Sequence, residues 1–296
     1  MGAKIPELIV RYLTVEALED GMTVSFTRNC EYCIDSNDDW VSLTSGTASP
    51  ELNTGQTISF RANLTSPGEN GIGNFSMSKK CNLKGNIMSL VYGDDAMGRT
   101  TGVKNYHFRG LFQNNSNIVN AKDLNLPAKI VPYYGYRDMF KSCTSLVTAP
   151  KLPATSMNSG CYRGMFQNCE SLTEAPKLNS INIGIGCYSY MFSGCTSLEV
   201  APDLPATIIK ENCYESMFEG CTSLVTPPSL PAVSLQQSCY SNMFFRCTSL
   251  VEAPKLPAKT LTTTCYSQMF WGCTNLKYVN AAFTSDISED GPTNLW

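Results

Sequence analysis

The chain has one histidine, His107, in 296 residues. A metal site built on several imidazoles is therefore excluded, and any nucleophile–imidazole machinery would have to run through that single ring. Charge is scarce as well: charged residues make up 16%, against about 25% in an average soluble domain. The net charge of −3 carries no basic excess, so no nucleic-acid partner resting on many phosphate contacts is expected. A run of about 18 apolar residues is also missing, and no membrane insertion is expected. The first residues, Met1-Gly2-Ala3-Lys4-Ile5-Pro6, lack the apolar stretch of a secretory signal peptide. Pro6 stands where a myristoylation signal has Ser or Thr. The expectation is a leader already removed, or a protein that reaches its site without one. No Gly-x-Ser-x-Gly elbow occurs, and no enzyme activity and no cofactor are expected.

Cysteine and periodicity are what the chain has in excess. Met-Phe pairs begin at Met139, Met165, Met191, Met217, Met243 and Met269, at one unbroken spacing. Around them runs Cys-Tyr-x-x-Met-Phe-x-x-Cys-x-Ser-Leu-x-x-Ala-Pro-x-Leu-Pro-Ala, shown by residues 213–232 with Pro227 for Ala. A degenerate earlier copy centres on Leu111-Phe112 and reaches the next with two extra residues, Lys122-Asp123 or their neighbours. Seven copies span roughly 104–282, and such units bury their apolar faces only against each other.

Within a copy, Cys161, Met165 and Cys169 recur at i, i+4, i+8, with Tyr162 and Phe166 beside them. On a helix these five make one apolar stripe, so a two-turn helix per copy is predicted. Pro176 then ends any helix, and a strand of two to four residues after Leu172 is expected. The apolar column Met157, Ile183, Ile209, Leu235, Leu261 should close the core. The resulting expectation is an α/β leucine-rich-repeat solenoid of about seven coils, each a short strand plus a short helix. Before it, Leu13, Val15 and Ala17 alternate with polar residues, Asp20-Gly21 follows, and Met22, Val24 and Phe26 alternate again, which predicts a hairpin. Ile58, Phe60 and Ala62 alternate too, and Asn70-Gly71 offers another turn. The predicted organisation is a small all-β sandwich-like module over 1–98, the repeats over 99–283, and a cap or tail over 284–296.

The Met-Phe-x-x-Cys-x-Ser-Leu unit resembles the BspA-like leucine-rich repeats of bacterial surface proteins. The front segment, Tyr12-Leu13-Thr14 through Asp20-Gly21 to Gly85-Asn86-Ile87-Met88-Ser89-Leu90, looks like the β module that precedes such repeats in gut bacterial and gut-phage sequences. The resemblance implies a non-catalytic recognition or adhesion protein, at the cell surface or secreted, binding a host or microbial protein or glycan. Two alternatives stay open: an appendage or receptor-binding part of a phage particle, and an accessory glycan-binding part of a hydrolase system.

Eleven of the 14 cysteines fall in two repeat columns. One holds Cys161, Cys187, Cys213, Cys239 and Cys265; the other holds Cys143, Cys169, Cys195, Cys221, Cys247 and Cys273. They read as a structural ladder of buried thiols used as small apolar filler, with disulfides along a column and metal binding as alternatives. Cys30 and Cys33 form a Cys-x-x-Cys without the second pair that a zinc ribbon needs. Asp35, Asn37 and Asp39 place oxygen ligands at alternate positions, as a calcium loop begins, or form a structural turn ending at Trp40. Gly93-Asp94-Asp95-Ala96-Met97-Gly98-Arg99-Thr100 nearly spells a phosphate-binding loop. Arg99 replaces its Lys, and two carboxylates would repel phosphate, so a junction loop is the alternative. His107 and Asn115 replace the two Cys of the first copy, as a more polar end copy requires.

Binding is expected where the repeat leaves positions free. The position after each Met-Phe reads Lys141, Gln167, Ser193, Glu219, Phe245, Trp271, so Phe245 and Trp271 should stack as an exposed aromatic pair. The alternative is that the pair covers the end of the stack. A second column, Thr148, Glu174, Val200, Thr226, Glu252, Tyr278, should point outward from the short strands.

Overall fold

The computed structural model describes residues 11–35 and 37–283; the expected cap or tail over 284–296 lies outside them. The front module is built of short strands: β1 (Leu13–Ala17), β2 (Val24–Phe26), β3 (Cys30–Ile34), β4 (Val41–Leu43), β5 (Thr57–Arg61), β6 (Phe75–Met77) and β7 (Cys81–Asn86). Helix α1 (Ser89–Tyr92) and strand β8 (Ile118–Asn125) follow. Six of the strands make one sheet in the order β4-β3-β5-β1-β7-β8, and β2 pairs with β6 in a second.

The predicted β1–β2 hairpin is not formed. Strand β1 is interior to its sheet, with Val15 opposite Ile58 on β5 and opposite Leu83 on β7, both antiparallel. Its two edges are taken, so the chain crosses to the second sheet and Phe26 pairs with Phe75. The Asp20-Gly21 turn survives in another role. Gly21 holds a left-handed φ of 73°, and Asp20 accepts hydrogen bonds from the Thr54 amide and hydroxyl at 2.7 Å. Within the second sheet Phe75 stacks on its partner Phe26 at 4.1 Å, and the two sheets meet where Phe75 packs edge-on against Phe60 of β5 at 5.0 Å.

The repeats depart from the predicted architecture. An α/β leucine-rich-repeat solenoid with a helix in every coil is not what the chain forms: among the described residues the one α-helix is α1, four residues long, in the front module. Each Cys-Tyr-x-x-Met-Phe-x-x-Cys segment is a ribbon of linked turns. Over positions 134–143, alternate amides, those of Tyr134, Tyr136, Asp138, Phe140 and Ser142, donate to carbonyls of the next layer, those of Ser159, Cys161, Arg163, Met165 and Gln167. The amides between them donate three residues back within the same layer. An α-helix would instead send every amide four residues back. Every fourth residue of the ribbon is left-handed, as at Gly160 (φ 63°), Gly164 (60°) and Asn168 (58°). The side-chain period is therefore four, and Cys161, Met165 and Cys169 do line up inward, all fully buried with Tyr162 and Phe166. The expected stripe is present, on a different backbone. Over nine residues a period of four and one of 3.6 select the same side chains.

After each buried Leu the layers meet at single parallel bridges, such as Thr148 to Glu174, Val200 to Thr226 and Glu252 to Tyr278, shorter than the strands predicted there. Two-residue strands β9 (Ile130–Val131) and β10 (Ser156–Met157) pair in parallel on the remaining side. Met157, Ile183, Ile209 and Leu235 are buried behind that side. Thr148 bridges back to Asn120 and Ser156 pairs back to Ile130. The first offset is longer than the second by two, so the two extra residues of the first copy lie between 121 and 130.

The core is one continuous cluster from Leu13 to Phe283. Phe112, Phe140, Phe166, Phe192, Phe218, Phe244 and Phe270 stack as a ladder with ring centroids 5.3–5.8 Å apart. Phe75 extends it into the front module at 5.8 Å from Phe112. A second ladder runs Phe108, Tyr136, Tyr162, Tyr188, Tyr214, Tyr240, Tyr266 and ends on Phe283. Offset-stacked rings contribute about 0.5–1.5 kcal/mol per pair beyond the area they bury, so each layer is held by its neighbours more than by itself.

Candidate functional site

The four-residue ribbon sorts its side chains by position. The first two of each four point into the core and the next two point out, so the outward face carries two rows: the left-handed row and the row just before it. The residue after Met-Phe belongs to the latter. There Phe245 and Trp271 lie one layer apart, their rings 4.7 Å between centroids and 15° from parallel. Trp271 is 41% exposed. The Arg246 guanidinium sits 5.2 Å from both ring centroids, inside the range of cation–π attraction.

Sequence reasoning passes over Arg246, although a signal exists. Its row reads Ser142, Asn168, Gly194, Gly220, Arg246, Gly272, all left-handed. Small or Asn residues suit that conformation and a long side chain does not. Gly272 is needed beside it: a Cβ there would lie 3.0 Å from Arg246 Cγ. Arg246 can therefore lie flat over the next layer and reach the indole.

The structure brings Phe245 to Trp271, and Glu252 to Tyr278 through a parallel bridge. These pairs belong to different segments of the layer, the turn ribbon and the bridged row after the buried Leu. Tyr278 and Val200 are 56% and 55% exposed. Glu174, bridged to Thr148, lines a 530 Å³ hollow with Glu199 and Val200. Comparison with protein-family models, with curated proteins and with solved structures finds no match. What the chain can do is therefore read from its own geometry.

The eleven column cysteines are buried free thiols, and their environment explains the residue type. In the second column each Sγ donates to the carbonyl of the Phe in the preceding layer. Cys143 donates to Phe112, Cys169 to Phe140, Cys195 to Phe166, Cys221 to Phe192, Cys247 to Phe218 and Cys273 to Phe244, at 3.0–3.2 Å. A thiol is small, apolar and still a weak donor. In the first column Cys187 Sγ lies 3.6 Å from Cys161 Sγ, donates to the Asn158 carbonyl at 2.9 Å and accepts the Gly184 amide. Desolvation pushes most of these thiols up, to about 12 for Cys143 and Cys221, which leaves them protonated and unreactive.

The first layer uses stronger groups in the same two columns. Asn115 donates to the carbonyls of Phe75 and Phe112 and accepts the Met77 amide at 3.0 Å. His107, fully buried, accepts the Lys104 amide on Nδ1 and so donates from Nε2 to the Leu64 carbonyl at 2.9 Å. Burial lowers its pKa. Both side chains fasten the stack to the front module.

The remaining motifs are occupied by structural contacts. Asp35 accepts the Thr57 amide and the Gln56 side chain, while Asn37 and Asp39 bond to each other. Among the described residues no His, Cys, Asp or Glu cluster gathers for a metal. Trp40, after that turn, packs edge-on against Tyr12 and under the Arg61 guanidinium at 4.1 Å. In the phosphate-loop-like segment, Asp94 accepts the Tyr12 hydroxyl and pairs with Arg61; those contacts hold its carboxyl below the usual range. Cys30 and Cys33 are buried on β3. No helix among the described residues is long and apolar enough to cross a membrane.

Proposed function

We propose that this chain is a non-enzymatic recognition or adhesion protein, exposed at a cell surface or secreted, that binds a protein or glycan through the outward face of its turn ribbons. The observation that carries the reading is the Phe245–Trp271 stack with Arg246 across it. The same row is polar in the layers before, at Gln167, Ser193 and Glu219. Trp271 and Arg246 are open to solvent and Phe245 is half-buried beside them. Aromatic and guanidinium groups held flat in this way are the side chains that dominate binding energy at interfaces, and their fixed stacking leaves little rotamer freedom to lose on contact. The likeness of the Met-Phe-x-x-Cys-x-Ser-Leu unit to bacterial surface repeats supports the placement outside the cell.

The test is a glycan and protein array probed with the full chain and with the Phe245→Ala/Trp271→Ala variant. Hits that weaken about tenfold or more in the variant support the reading, as loss of two packed aromatics would require. Hits of undiminished strength overturn it.

A further inference from the structure

The opposite end of the same outward face carries a second feature that the Phe245–Trp271 patch does not involve. In the first three layers the row before the left-handed one reads Arg109, Arg137, Arg163; in later layers it reads Ser189, Glu215, Ser241, Ser267. The three arginines therefore sit one above another at the layer spacing, with Lys141 in the row that holds Phe245 and Trp271 further along. Like charges stacked at that separation repel. Among the described residues only Arg137 of the three has a carboxylate in ion-pair contact, Asp138 at 2.9 Å.

The left-handed positions are also unusual here. Tyr106 (φ 62°), Tyr134 (54°) and Tyr190 (59°) hold a conformation that bulky residues seldom adopt; such strain persists where the surroundings or a function require it. Tyr106, Tyr133 and Tyr134 form a ring cluster with centroids 4.0–5.5 Å apart. Arg137 lies over Tyr134 at 4.8 Å and Arg163 over Tyr190 at 5.0 Å.

Between these walls the floor is glycine. A Cβ on Gly160 would fall 2.0 Å from the Tyr134 ring, and one on Gly164 would fall 2.5 Å from Asp138 Oδ1. The result is two adjoining hollows with Arg163 in both walls. One is about 310 Å³, beside Tyr133, Tyr134 and Asn212; the other is about 210 Å³, beside Arg137, Lys141 and Tyr190. The Asp138 carboxylate is also in the wall of the second, taken up by Arg137 Nε, which leaves the rest of that guanidinium, Lys141 and Arg163 in excess. Together they reach the range of about 300–1,000 Å³ typical of small-ligand sites.

We propose that this trough binds an anionic polysaccharide, with sugar rings laid on the tyrosine faces and acidic groups paired to Arg137, Lys141 and Arg163. Aromatic faces take the apolar C–H face of a sugar, while guanidinium forks take carboxylate or sulfate in a planar, two-point contact. The acidic overall charge and the small number of cations disfavour a nucleic-acid strand, whose binding rests on many phosphates. An acidic peptide would satisfy the arginines, but it would not account for the tyrosine platform at strained positions.

Affinity electrophoresis and titration calorimetry of the full chain test the proposal. The probes are polygalacturonate (carboxylate), chondroitin sulfate (sulfate and carboxylate) and neutral dextran. One or both acidic polymers should bind, and which of them does identifies the acidic group; dextran should not. Arg163→Gln/Lys141→Gln should weaken binding about tenfold or more and flatten its salt dependence. Tyr133→Ala, at an exposed position that leaves the ribbon backbone alone, should weaken it without changing the salt slope. Phe245→Ala/Trp271→Ala should leave it intact. The proposal is overturned if neither acidic polymer binds or if dextran binds equally. It also fails if folded Arg163→Gln/Lys141→Gln and Tyr133→Ala proteins bind as the parent does, or if polyglutamate or oligothymidylate displaces the polysaccharide at lower charge concentration. Loss of binding only in the Phe245→Ala/Trp271→Ala protein would move the site to the other patch and leave the recognition function standing.

Discussion

In the front module Val15 takes one partner from β5 and another from β7, and Phe26 takes its own from β6. In the repeats every ribbon finds its partner in the next copy along the chain, and the same bonds recur layer after layer. The module therefore forms only when distant segments meet, whereas the stack can grow one layer at a time from any formed edge. The polar Asn115 and His107 lie where the two regimes join, at the head of columns that are otherwise thiol except for Gly135, next after His107. A thiol suffices between identical layers, where one carbonyl needs a second weak donor. At the junction a strand amide and two carbonyls need partners at once, and only a side chain with both donors and an acceptor can serve them.

The strongest test of this contrast removes a ring from the middle of the ladder. Phe192→Ala should cost about 3–5 kcal/mol. Because its neighbours contact only adjacent layers, the loss should divide the cooperativity of the stack. Hydrogen exchange should show the ribbons on either side opening while β1, β5 and β7 keep their protection. Uniform loss of protection in both regions would mean that they fold as one unit and the contrast fails.

Asn115→Ala acts on the junction itself. It strands the Met77 amide and removes a donor from the Phe75 and Phe112 carbonyls, all within the core. The expected cost is about 3 kcal/mol, read by denaturant unfolding. Asn115→Cys restores the repeat consensus but leaves Met77 without its acceptor, so it should recover only part of the loss. Full recovery would show that the first layer needs nothing from the module.

Changing pH separates the regions without mutation. His107 has a lowered pKa in the folded chain, so the unfolded chain binds the proton first. The contribution of His107 to stability should be constant above the ordinary imidazole value, fall as pH drops below about 6.5, and level off once the pH passes the folded value. With one histidine in the chain, that window belongs to the junction, and His107→Asn should flatten it. The column thiols work in the opposite direction. Burial raises nearly all of their pKa values, to about 12 at Cys143, Cys221 and Cys239, the exception being Cys187, which the Cys161 thiol beside it holds lower. Above about pH 9, therefore, the unfolded chain ionises and most of the folded chain's thiols do not. The alkaline limb should be steep and should belong mainly to the stack, with Cys30 and Cys81 of the front module, also raised to about 12 by burial, adding a smaller share. Melting temperature against pH for the parent and for His107→Asn reads both limbs.

Much of this organisation is legible in the sequence. Met-Phe recurring at one constant spacing, with Leu111-Phe112 in the first copy, gives the number of layers, and the apolar stripe of each copy is buried. The polar first copy is where the stack meets the module. The backbone carrying those positions is not legible in the same way, because the stripe alone cannot tell a four-residue turn from a helical turn. The distinguishing residues are the outward ones: Gly160, Gly164 and Asn168, or Asn212, Ser216 and Gly220, recur every four. Each glycine would cost a helix about 1 kcal/mol, whereas a left-handed turn requires such residues. The β1–β2 hairpin fails for a different reason, since alternation identifies a strand but not its partner. Phe245 and Trp271 are legible because their row is otherwise polar. Arg246, Tyr134 and Tyr190 are not, because their meaning depends on knowing that their positions are left-handed.

The smallest expected effect concerns the tyrosine ladder. In the Phe ladder the inward ring ends in carbon, but the parallel ladder places a hydroxyl in the same dry interior. Among the described residues, the Tyr162 and Tyr266 hydroxyls have no hydrogen-bond partner, and burial drives the Tyr162 pKa well above its ordinary value. A buried hydroxyl without a partner costs about 1–3 kcal/mol of lost hydration, set against whatever dispersion its oxygen gains within the close-packed layer. Tyr162→Phe removes the first effect and only a little of the second, keeping the ring in its stack 5.9 Å from Tyr136 and 6.2 Å from Tyr188. It should be neutral, or stabilising by up to about 1 kcal/mol, in a chemical denaturation series. A loss of more than that would mean the hydroxyl row is satisfied along the stack. The tyrosine ladder would then be a polar spine, no longer the equivalent of the phenylalanine one.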